Sequence, residues 1–106
     1  MNTNGSSAFK WVATAEVLPL TGNALLGSAS GAYVPVVGIA VSENEFRVGV
    51  GRAMTALEFD LVELAEVRQL KSSSDVAGLD AALRERVNTL HAGNPIEFGS
   101  FHAFSS

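Results

Sequence analysis

The heptapeptide Gly49-Val50-Gly51-Arg52-Ala53-Met54-Thr55 holds the residues of this chain best suited to chemistry. Read as the end of a strand and the start of a helix, it would present bare backbone amides beside a guanidinium. That arrangement holds a phosphate or a carboxylate. A dinucleotide site asks for more. Met54 stands where the third glycine of that fingerprint belongs, and no parallel strand carrying an acid follows. The spacing therefore supports only a simple anion site built from Gly49, Gly51, Arg52 and Thr55. The plainer account is that the two glycines let a strand bend or a helix pack closely.

Three other groups have side chains that could carry chemistry. His91 and His102, with Glu97 between them, could converge on a metal or act as a base and its partner. Two imidazoles and one carboxylate at no recognised spacing do not make a metal site. Glu58, Asp60, Glu63 and Glu66 could do acid–base work if burial raised one pKa, but on an amphipathic element they form a solvated face. Gly22 to Gly31 is rich in small residues, yet it lacks the Gly-Lys-Ser/Thr ending of a phosphate-binding loop. No serine sits at motif spacing from a histidine and an acid, so no catalytic residue is assigned and no cofactor or metal is expected.

These residues need elements to position them. Phe9 to Val17 alternates cleanly, with Phe9, Trp11, Ala13, Ala15 and Val17 on one side, and reads as a strand. Tyr33 to Val41 is a β-branched, uncharged run of the kind covered on both faces. Ser42-Glu43-Asn44-Glu45 then reads as a reversal into a partner strand, with Phe46, Val48 and Val50 on one side, making a central antiparallel hairpin. Thr55 to Glu58 matches a capping box, and Leu57, Leu61 and Leu64 recur at helical spacing, so a helix is expected over about 56–70. A third strand is the competing assignment there.

A second helix is expected from about Asp75 to His91 on the stripe Val76, Leu79, Leu83, Val87 and Leu90, with Asp80 and Arg84 placed to pair and Gly93 placed for a left-handed cap. Ile96 to Phe104 closes the chain as a strand with a bulge at Gly99-Ser100. The expected fold is α+β: an antiparallel sheet of about four strands with two consecutive helices on one face, in the order β-β-β-α-α-β. Residues 1–8 are expected as a flexible polar segment and 9–106 as one domain.

Composition narrows function mainly by exclusion. With no cysteine there is no disulfide framework and no thiolate chemistry. The net charge is -4 and the seven basic residues are scattered, so no nucleic-acid partner is expected. The uncharged stretch Val17 to Ser42 is broken repeatedly by Pro, Gly, Ser and Asn, so it is not a membrane span, and a cytoplasmic location is the default expectation. Charged residues make up only 17% of the chain, against about 25% in an average soluble domain. A surface that poor in charge tends to be buried against another copy. The leading expectation is thus a non-enzymatic, homo-oligomeric interaction or binding module. The alternative is a small-molecule binding protein or small enzyme with a cavity between helices and sheet, Arg52 anchoring an anion and Trp11, Tyr33 and His102 lining the wall.

Overall fold

Alternation of apolar and polar side chains makes Phe9–Pro19 the strand β1, and β1 occupies the middle of the sheet. In the computed structural model, which describes residues 8–24 and 26–105, β1 pairs antiparallel with β2 (Gly31–Ala40) and with β3 (Phe59–Leu70). The far edge of β2 carries two short strands. β4 (Ile96–Phe98) lies opposite Val36 to Gly38, and β5 (His102–Phe104) lies opposite Gly31 to Tyr33. The flexible segment expected over 1–8 lies, apart from Ala8, outside the described residues.

The α+β class and the antiparallel sheet are as expected, and two consecutive helices do share one face: α2 (Ser73–Ala77) and α3 (Ala81–Asn88). A further helix, α1 (Glu43–Ala56), covers the opposite face, so the order is β-β-α-β-α-α-β-β. The expected hairpin after β2 is therefore corrected: Ser42 to Glu45 starts a helix. Ser42 Oγ accepts from the Glu45 amide at 3.1 Å, and the Glu45 carboxylate accepts from the Val41 amide at 2.6 Å. The first bond satisfies a donor the helix start leaves open, and the second ties the residue before the cap to the first turn. The core stripe is Phe46, Val50 and Met54, while Val48 is 45% exposed, so helical spacing wins over strand alternation. Ser42→Ala is expected to cost about 1 kcal/mol of stability, read from the urea midpoint.

The helix expected over 56–70 is likewise corrected to the strand β3, as the competing assignment had it. Two bulges explain the ambiguity. The register with β1 shifts once opposite Glu16/Val17, where Val62 is the extra residue, and again opposite Val12/Thr14, where Glu66 takes φ 56°. Each insertion slips the alternation, so Phe59, Leu61, Leu64 and Val67 all reach the α1-side core at a spacing that resembles a helix. Glu58, at φ 65°, sits in the turn from α1 into β3, so Thr55 to Glu58 ends a helix instead of starting one.

The single helix expected after Asp75 is interrupted at Gly78 to Asp80. Ser72 forms a capping box with Asp75 for α2, and Asp80 caps α3 through the Leu83 amide at 3.0 Å. Arg84 does not pair with Asp80. Its guanidinium donates to the Leu79 carbonyl at 2.6 Å, across the break between the helices. Gly93 is not left-handed; its amide donates to His91 Nδ1 in a tight turn closed by Asn94.

Two cores result. On one face α1 packs over Trp11, Ala13, Ala15, Val17, Val34 and Val36, with the Trp11 and Phe46 rings stacked at 6.1 Å. On the other, Leu79, Leu83 and Val87 cover Val12, Val37 and Leu70. No polar or charged side chain is buried among the described residues, so burial of apolar area holds the layers together. No described helix is long and apolar enough to cross a membrane.

Candidate functional site

Helices α2 and α3 cover only one end of their face, because both are short and both sit over the Val12–Val37 end of the sheet. Side chains at directly paired positions share a face, so the uncovered end can be laid out in rows. One row runs Ala65, Thr14, Pro35. The next runs Glu63, Glu16, Tyr33, His102 across four strands. A third brings Asp60 beside Leu18, and Phe104 beside Gly31.

The middle and last rows are where polar and apolar character meet. Tyr33 is 48% exposed and Leu18 38% exposed. The Tyr33 and Phe104 rings lie 5.0 Å apart. Leu18 and Phe104 close over Gly31, where an added Cβ would meet both side chains within 3 Å. An apolar group on one side of the face is thus flanked by carboxylates on the other. Glu16 and Glu63 are direct cross-strand neighbours, and Asp60 lies diagonal to Glu16.

The residues singled out in the sequence are dispersed over the molecule. Trp11 is buried under α1, its indole N–H donating to the Ala40 carbonyl at 3.0 Å, so it belongs to the core. Tyr33 and His102 do come together, as cross-strand partners on the open rows. Gly49, Gly51, Arg52 and Thr55 lie in the second half of α1, where their backbone amides belong to the helix ladder and cannot cradle an anion. The Thr55 hydroxyl donates to the Gly51 carbonyl at 3.0 Å. Gly49 admits the close approach of Ile96, whose Cδ1 would lie 3.4 Å from a Cβ there.

Arg52 and Gly49 share one feature. With Val48, Ile39, Pro95 and Ile96 they line a groove of about 460 Å³ beside α1. His91 is exposed in its turn, while Glu97 accepts from Arg86 at 3.2 Å and from the Asn94 side chain, so both serve the loop before β4. Among the described residues no group of His, Cys, Asp and Glu could hold a metal ion.

Of the acids of the open rows, Asp60 and Glu63 were visible in the sequence as the face of a helix, and Glu16 only as a residue of the first strand. Their juxtaposition with Tyr33 depends on β1 lying between β2 and β3, and no local pattern encodes that order. No family model, curated protein or solved structure matches this chain.

Proposed function

We propose that the protein is a non-enzymatic interaction module that works through the open rows of its sheet. The observation that carries this is the exposure of Leu18 and Tyr33 beside Phe104 on a face whose other end is packed under α2 and α3. An apolar group of this kind, rimmed by polar side chains, is the usual mark of a protein–protein surface. The test is selection of ligands from a random-peptide library, followed by amide-exchange footprinting of the bound protein. Ligands that protect β1, β2 and β5 are expected; ligands that protect only other surfaces would remove the reading.

Self-association is the narrower form of this reading, supported by the charge deficit and by the origin of Leu18 and Tyr33 in the uncharged stretch. Native mass spectrometry at micromolar concentration decides it: a monodisperse monomer retires self-association and leaves the face to an unlike partner. The cytoplasmic setting belongs to the same proposal and is tested by fractionation.

A small-molecule site has one observation of its own. The Arg52 guanidinium forms no ion pair or hydrogen bond with any described residue, and it stands at the groove beside α1. A short aliphatic carboxylate would place its chain on Val48 and Ile96 and its charge on the guanidinium. Butyrate titration followed by amide shifts is the check, and equal shifts in Arg52→Ala would eliminate the anchor.

A further inference from the structure

We infer that the open rows dock a basic segment of another protein, one that sets a Lys or Arg between Glu16 and Glu63 and rests apolar side chains on Leu18, Tyr33 and Phe104. This rests on the interaction-module reading above and gives the partner its chemistry.

The open rows hold a local conflict. Like charges directly opposite in an antiparallel pair destabilise the sheet, and Glu16 and Glu63 are such a pair. Asp60 adds a third carboxylate at the diagonal position. The ion pairs among the described residues, Arg47–Glu43 and Arg86–Glu97, reach none of the three. Nor do they form a metal site. No described cation pairs with them, and a cation brought by a partner would relieve their repulsion.

The apolar side of the same rows selects among cations. Strands lie about 4.8 Å apart, so Glu63 and Tyr33, two strands apart, are separated by about 10 Å. A bare ion or a polyamine satisfies the acids but leaves Leu18, Tyr33 and Phe104 wet. A polypeptide carrying a basic and an apolar side chain about 10 Å apart satisfies both. A second copy of this chain fits poorly. Stacked face to face about a two-fold axis, each copy would add Glu16, Asp60 and Glu63 to one interface, with the His102 imidazole as the basic group on these rows.

Three synthetic peptides of equal length test this, one of alternating lysine and leucine, one of lysine and glutamine, and one of glutamate and leucine. Each is titrated into the whole protein while backbone amide shifts are followed. The lysine–leucine peptide is expected to shift Thr14, Glu16, Tyr33 and Glu63, with an affinity that falls as salt is added. The other two are expected to leave these amides unmoved. The double variant Glu16→Gln/Glu63→Gln is expected to bind that peptide about tenfold more weakly while melting at a higher temperature in low salt. A merely structural role for the two acids would not move those readouts in opposite directions.

Equal binding by the double variant overturns the inference. So does binding of the lysine–glutamine peptide as strong as that of the lysine–leucine peptide, which would reduce recognition to charge alone. Shifts on the same amides with the glutamate–leucine peptide overturn the cationic partner but leave the interaction module standing. A face-to-face dimer in the absence of peptide overturns it in favour of a second copy.

Discussion

Phe46→Ala is expected to remove a large share of the folding stability of this protein. Phe46 is fully buried, stacks on Trp11, and fills the space above Gly38, where an added Cβ would come within 2.8 Å of its ring. Truncating such a side chain costs about 3–5 kcal/mol, the lost transfer energy plus the cavity left behind. A whole domain of this size is stable by only about 5–15 kcal/mol, so the melting temperature should drop by about 15 °C or more. The measurement is thermal unfolding followed by circular dichroism, with Phe46→Leu as the volume-retaining control and a much smaller loss. The result also separates two folds of one segment. An alternating hairpin strand would bury Val48 with Phe46 and Val50, so a large effect from Phe46→Ala with a negligible one from Val48→Thr identifies the helix.

The second large effect sets two glycines against each other. Gly31→Ala is expected to destabilise by about 1–3 kcal/mol, because the new methyl would lie 2.7 Å from the Val17 carbonyl oxygen as well as from Phe104. A ring can swing away, but a carbonyl held in the sheet cannot. Gly51→Ala is expected to do the opposite. It sits inside α1 with nothing within 4 Å of a Cβ, and replacing glycine by alanine inside a helix gains about 0.5–1 kcal/mol. Urea unfolding of both variants checks the pair, and loss of stability at Gly51 would mean that this part of α1 is not helical.

Much of this fold was legible wherever local pattern and tertiary role agree. β1 announces itself by alternation because its two faces meet different surroundings along its length. β2 reads as a covered strand because α1 lies over one face, and α3 over part of the other. The mistaken assignments came from segments whose periodicity is ambiguous for a physical reason. In α1 the apolar positions Phe46, Val48 and Val50 alternate, and the interior glycines lower helix propensity. The stripe Phe46, Val50, Met54 and the cap at Ser42 were present in the same letters. In β3 the two bulges shift the phase, so a strand shows a spacing near that of a helix. The site was less legible still. Glu63, Glu16, Tyr33 and His102 come from four strands, and they meet only because the sheet places β1 between β3 and β2.

The late arrival of β4 and β5 has a consequence for synthesis. Strand β2 is complete at Ala40, but the partners for its outer edge lie at Ile96–Phe98 and His102–Phe104. A nascent chain that has emerged as far as Lys71 can pair β1 with β2 and β3 and seat α1 on one face. Val12 and Val37 face water until α2 and α3 follow, and until the last segments leave the ribosome the backbone donors and acceptors along the outer edge of β2 stay unpaired. That interval is when a chain of this topology is most open to pairing with a neighbour on the same message. A translational pause before Ile96 would lengthen it, and a chaperone that shields strand edges would be needed there before it is needed anywhere else on the molecule.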